Sequence, residues 1–194
     1  MEKVSGNLLE WFKKGFTFEK YTNQMTINKE EMLSIYDRYT LNEDDVAFLE
    51  KLQDKQLKVI ALTEDWCGDA LVNNPILMKI TEASNMEVRF LLRDQNLELM
   101  DQYLTNGTSR AIPIYIFIDQ KGEEKAVWGP RAQKIQKIVD QERAALPAND
   151  APDFKEKQME MYGKFRNAYL NDESVWETIS YSIITQLKGK DLHH

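Results

Sequence analysis

The chain has 194 residues, 42% of them hydrophobic and 29% charged, a size and balance that suit one folded domain with additions rather than a disordered or membrane-embedded chain. Its formal charge of −7 comes without any Lys/Arg cluster, so the basic face that a nucleic-acid backbone requires is missing. One cysteine, and no histidine before His193 and His194, remove Cys–His and Ser–His hydrolase arrangements and the usual zinc ligand sets. No apolar run approaches the ~20 residues that span a bilayer. The opening "MEKVSGNLLEWFKKGF" lacks the apolar core and cleavage site of a signal peptide. A lone cysteine fits a reducing compartment. The expectations are a cytoplasmic protein with no metal, no cofactor and no membrane or nucleic-acid partner; the oligomeric state stays open.

In chain order, residues 1–50 read as helical. "NKEE" at 28–31 offers Asn28 as an N-cap with Glu31 in the reciprocal position, and "NEDD" at 42–45 repeats the device with Asn42. "LKVIALT" (57–63) is short, apolar and partly β-branched, which predicts a buried strand. A helix from about Cys67 to Ser84 follows, then a second strand at "EVRFLLR" (87–93). "LELMDQYLTNG" (97–107) predicts a helix closed by Asn106-Gly107. "IPIYIFID" (112–119) and "EEKAVWG" (123–129) predict a strand hairpin about the turn "QKG" (120–122). A helix from about Ala132 to Ala145 leads to "LPANDAP" (146–152), the clearest linker, and two helices occupy roughly 153–170 and 173–188.

Strands joined through helices imply parallel neighbours, and the late hairpin adds an antiparallel edge. The fold class is therefore α/β, a mixed sheet flanked by helices with extra helices at both ends. Three stretches follow: an N-terminal helical extension (1–56), a core (57–145) and a C-terminal helical extension (146–194), all in one compact unit. Two helical faces, Phe154, Met161, Tyr162, Phe165 and Tyr169 in the first and Val175, Trp176, Ile179, Ile183 and Leu187 in the second, have the spacing of surfaces that dock on a core.

"LTEDWCGDALVNNP" (62–75) holds the one cysteine at the junction of the first predicted strand with its helix, as Trp66-Cys67-Gly68, with Pro75 eight residues later. "RAIPIYIF" sets Pro113 at the head of a later strand, and Gly122 and Gly129 are glycines of the hairpin, one in its turn and one at the end of its second strand. In these placements residues 57–145 resemble the thioredoxin family. The resemblance implies a thioredoxin-like fold, a reactive Cys67, and a cis Pro113 facing it. It departs from that family at Ala70, which stands where the second cysteine would be, and at Ala61, which aligns with the family's buried carboxylate. Internal dithiol chemistry is thereby excluded, and the pattern is closer to single-cysteine glutaredoxins or bacterial bacilliredoxins.

On this reading Cys67 is the catalytic residue, with Trp66, Gly68, Asp69, Ile112 and Pro113 as its substrate-binding surroundings. Trp66 reads first as a packing residue that shields the site, and Asp69 first as a favourable acid in a helix's opening turn. Helix-start N–H groups lower a thiol pKa, while Glu64, Asp65 and Asp69 oppose a second anion; the expected balance is a modest lowering. Arg110, three residues before Pro113, is a candidate positive charge for the site. Its expected partners are a small thiol or a protein mixed disulfide, handled by Cys67 alone. The competing expectation is a thioredoxin-fold binding or scaffold protein without turnover. A peroxidase has only Thr63 and Arg110 as candidate donors and ranks third.

Overall fold

The computed structural model describes residues 7–189; His193 and His194, and the first six residues of the predicted N-terminal helical stretch, lie outside them. Four strands, β1 (Lys58–Thr63), β2 (Glu87–Leu92), β3 (Ile114–Ile118) and β4 (Glu124–Trp128), form a mixed sheet in the order β2-β1-β3-β4. Strict alternation of side chains sends Val59, Ala61, Tyr115 and Phe117 into the core on one face and Ile60, Leu62, Ile114 and Ile116 into the core on the other. Both faces are covered, which is why the strands read as nearly continuous apolar runs.

The N-terminal stretch forms α1 (Leu8–Lys14), α2 (Phe18–Gln24), α3 (Lys29–Arg38) and α4 (Glu43–Lys51). Between α1 and α2 the chain joins the sheet edge, Phe16 exchanging two 2.8 Å backbone hydrogen bonds with Phe90 of β2. Asn42 caps α4 as expected, accepting from the Asp45 N–H at 2.8 Å. Asn28 does not cap α3. It sits at φ 64, donates to the Asp65 carbonyl and accepts from Arg166, so tertiary partners have taken the side chain a local cap would use.

The first crossover helix, α5 (Gly68–Ala83), has Cys67 as its N-cap and Ser84 as its C-cap. It is buried on nearly every side, Ala70 through Leu77 without a break, because α3 and the C-terminal helices cover what the sheet does not. The crossover makes β2 parallel to β1. β3, expected to continue the parallel series, runs antiparallel to β1 instead, with Leu62 opposite Ile114 and Lys58 opposite Ile118. The reason lies in residues 93–113. Only Leu97–Met100 of that stretch is α-helical (α6), and the predicted end of a longer helix, Asn106-Gly107, is a tight turn with φ 53 and 72 between Thr105 and Ser109. Two consecutive positive φ values suit a reversal rather than a helix C-cap. With no return crossover the chain stays at the sheet end where β2 finished and enters β3 from there. Pro113 is thereby delivered to the end of β1 that carries Cys67.

α7 (Gln133–Ala144), α8 (Phe154–Asn171) and α9 (Glu173–Lys188) complete the chain, with the 146–152 linker non-helical. α9 packs against α5 and β4 and buries Trp176, Ile179, Ile183 and Leu187. α8 buries Met161 and Tyr169, but Tyr162 is 52% exposed and does not belong to the docking face assigned to it. No described helix is long and apolar enough to cross a membrane.

Candidate functional site

Strand β1 ends at Thr63, and the loop Glu64-Asp65-Trp66 carries the chain to Cys67 at the start of α5. The acidic loop residues are structural rather than freely solvated. Glu64 is buried and accepts the Asp94 N–H at 3.0 Å, while Asp65 accepts from the N–H and hydroxyl of Thr26 at 2.9 and 3.2 Å. Their hydrogen bonds fix the turn that aims Cys67 inward.

The Cys67 sulfur accepts the Ala70 N–H at 3.4 Å and lies 3.5 Å from the Ile112 carbonyl oxygen, to which its thiol donates. The Ile112–Pro113 peptide bond is cis. Ile112, Pro113, Gly68 and Cys67 thus meet at one end of the sheet. Cys67 is only 8% exposed. Burial pushes its thiol pKa up, the Ala70 N–H pulls it down, the Asp69 charge adds to the rise, and the Asp69 N–H and Arg131 oppose it. The net direction is upward, which corrects the lowering expected from the helix start: desolvation outweighs the two amides.

Asp69 has a larger role than an acid in a helix's first turn. Its carboxylate pairs with Arg131, Nε to Oδ1 at 2.9 Å and Nη2 to Oδ2 at 2.7 Å, and accepts the Tyr169 hydroxyl at 2.9 Å. The cluster ties the start of α5 to the loop after β4 and to α8. Burial lowers and Asp69 raises the Arg131 pKa, with a net rise, and burial with the Asp69 charge also raises that of Tyr169. Arg131 is delivered by Gly129-Pro130, a second cis peptide bond, with Gly129 at φ 131. A Cβ on Gly129 would lie 2.2 Å from the Pro113 carbonyl oxygen, so only glycine lets these two loops touch.

Trp66 is 49% exposed and does not shield the thiol by burial; the Arg93 guanidinium lies 4.9 Å from its ring centroid. Arg110 is directed away from the role suggested for it. It forms two hydrogen bonds to exposed Asp101 at 2.7 and 3.0 Å, while its backbone carbonyl accepts from Arg93. The cation that acts on Cys67 is Arg131, 64 positions along the chain and reached through the hairpin. Sequence periodicity offers no signal for such a residue; its position after Gly129-Pro130 is the only local clue.

Beneath the thiol lies a buried polar chain. The Tyr115 hydroxyl donates to Asn74 Oδ1 at 2.7 Å, Asn74 Nδ2 donates to Thr63 Oγ1 at 3.1 Å, and the Tyr21 hydroxyl lies 3.5 Å from Thr63 Oγ1. Burial raises the pKa of Tyr115 well above its ordinary value and pushes Tyr21 up to about 12, so both phenols stay neutral at physiological pH. Ala61 faces Tyr115 across the β1–β3 ladder, so the sheet position beside this chain carries a methyl group and no carboxylate. Among the described residues no group of three or more His, Cys, Asp or Glu side chains is arranged to hold a metal ion.

This architecture is shared with known structures. A 1.5 Å crystal structure of a protein of unknown function from Pseudomonas aeruginosa aligns over 90% of this chain and 98% of its own, with a TM-score of 0.63 and 15% identity. An HIV epitope scaffold aligns over 95% of this chain and 99% of its own, with a TM-score of 0.68 and 15% identity. Both likenesses speak to the fold alone. No curated protein matches the sequence. A family model described as thioredoxin matches residues 15–144, taking in most of the N-terminal helices as well as the sheet. The match covers more than half of the chain, and the chain belongs to the thioredoxin family.

Proposed function

We propose that the protein is a single-thiol exchange protein working through Cys67 on small or protein mixed disulfides. The observation that carries the reading is the seat of the sulfur, held between the Ala70 N–H and the Ile112 carbonyl beside Pro113. That N–H is in place to stabilise a thiolate, and the flanking Gly68 and half-exposed Trp66 leave room for a partner to approach.

The cycle balances with external thiols alone. The Cys67 thiolate attacks one sulfur of a disulfide R–S–S–R′, forming Cys67–S–S–R and releasing R′S⁻. A second thiolate then attacks the R sulfur and releases Cys67. With Ala70 in place of a second cysteine, no internal attack can compete. Burial, by raising the thiol pKa, lowers the thiolate fraction available for the first step and makes Cys67 a weaker leaving group in the second, so it works against both steps. A lone unpaired cysteine doing this work belongs in a reducing compartment, which favours the cytoplasm.

The same raised pKa, with 8% exposure, favours a second reading: a thioredoxin-fold binding protein whose cysteine is a core residue. Mass spectrometry of the chain after incubation with a small disulfide separates the two. An adduct on Cys67 that a second thiol removes, absent in Cys67→Ser, supports exchange. Protection of the folded chain while the urea-unfolded chain reacts supports the binding protein.

A further inference from the structure

A cleft of about 1070 Å³ opens between α7, α9 and the start of α4, and Cys67 takes no part in its lining. Its charges are sorted by element: Lys134 and Lys137 come from α7, Glu177 from α9 and Asp45 from α4. Asp45 accepts the Asn42 side-chain amide at 2.8 Å, and none of the four lies within ion-pair distance of an opposite charge among the described residues. Tyr39 lines the same cleft although it is only 6% exposed, its ring packed edge-on against Trp176. Burial raises the pKa of its hydroxyl, Ser180 opposes the rise, and the Asp45 and Glu177 charges add to it, so both carboxylates bear on one phenol. Beside that phenol, the Ser180 hydroxyl is 1% exposed and is the one buried side-chain oxygen without a hydrogen-bond partner among the described residues. Buried polar groups are normally satisfied. Two hydroxyls with acceptor capacity unspent, flanked by two carboxylates and no cation, lack a positive donor, and an ammonium supplies three N–H groups.

We propose that this cleft binds a short peptide by its two ends, the free amino group among Tyr39, Asp45 and Glu177 and the terminal carboxylate at Lys134 and Lys137. The sorted charges select this class. A polyamine would meet the two lysines, and a polyanion the two carboxylates. The volume lies at the upper end of ligand sites, more than a single amino acid fills. Pairing of the ligand with the β4 edge is not the mode of binding, because α9 already closes that edge: Gln186 donates to the Val127 carbonyl at 3.0 Å, and Ser182 accepts the Trp128 indole N–H at 2.9 Å. Recognition therefore falls to the termini, which are captured as charged groups. Tyr39 and Asp45 belong to the N-terminal helical stretch, Glu177 to the C-terminal one and the lysines to α7, so the site exists only where both extensions meet the sheet domain. This binding goes beyond the exchange reading and needs no chemistry at Cys67.

Calorimetric titration of the full chain with tetra-alanine, N-acetyl-tetra-alanine and tetra-alanine amide tests it. Each blocking group is expected to weaken binding about tenfold, the scale of one charge-assisted hydrogen bond, and both preferences shrink with added salt. Glu177, Lys134 and Lys137 are exposed, so their replacement leaves the fold intact, which thermal melts verify. Glu177→Gln should abolish the preference for the free amine and keep that for the free carboxylate. Lys134→Gln combined with Lys137→Gln should do the reverse. Tyr39→Phe keeps the ring on Trp176 and should weaken tetra-alanine while leaving the N-acetyl peptide unchanged. The same titrations in Cys67→Ser should give unchanged affinities, which separates this site from the thiol. Absence of binding at millimolar tetra-alanine, indifference to either blocking group, or preferences that survive the matching substitution would overturn the proposal.

Discussion

Replacing Arg131 by methionine removes the guanidinium from Asp69 while keeping an unbranched side chain of similar length. The two side chains are only 17% and 14% exposed, so the pair is closer to a buried ion pair than to a surface one. Breaking a buried pair by deleting one partner costs about 3–5 kcal/mol, and an exposed pair less than about 1. The Tyr169 hydroxyl still donates to Asp69 in the variant and offsets part of the loss, which places the expected cost at about 2–3 kcal/mol. For a domain of this size that lowers Tm by about 4–12 °C. Urea and thermal melts of Arg131→Met, Asp69→Asn and the double variant measure it. The double variant should recover part of the loss, because the uncompensated carboxylate is gone. The thiol reports the same cluster: with Arg131 absent, Asp69 acts on Cys67 unopposed, and the alkylation inflection moves to higher pH, returning in the double variant. Equal destabilisation of the single and double variants, or an inflection that stays put or falls, would refute the assignment.

The remaining tests address the thiol and its supports. Because burial raises the Cys67 pKa in the folded state, its contribution to stability is complete below the free-thiol value of about 8.5 and is lost as pH rises through the folded value. Denaturation curves from pH 7 to 10 should show wild type losing stability relative to Cys67→Ala above about pH 8.5; a constant difference would contradict the raised pKa. Tyr115→Phe strands the Asn74 Oδ1 without its donor in a fully buried position, at a cost of about 1–3 kcal/mol in urea unfolding with an unchanged m value. Gly129→Ala places a methyl group against the Pro113 carbonyl at φ 131, so a loss of about 3 kcal/mol or more and faster Cys67 alkylation are expected; a stable, protected variant would show that the loops can part without cost.

The local signals proved good guides wherever one element decides its own form. The strand at 57–63, the helix starting at Cys67, the hairpin and the last two helices are read from runs, periodicity and the linker, because burial on a strand or a helix face imposes a period on the chain. Two local readings failed where a neighbour intervened: Asn28 was drawn from its cap to Asp65 and Arg166, and Asn106-Gly107 closed a turn rather than a helix. The direction of β3 belongs to the same class, since nothing in the strand itself records the path of the chain leading to it.

At the site, sequence alone determined that one sulfur stands at a helix start with no second sulfur in reach of an internal exchange. That is a matter of covalent chemistry. Only the tertiary structure decided how that sulfur is tuned. Arg131 and Tyr169 come from remote stretches to neutralise Asp69, while Arg110 is turned to Asp101. Desolvation of Cys67 then outweighs its helix-start amides. Charge and burial act through space, and a pKa depends on distances that no spacing along the chain encodes.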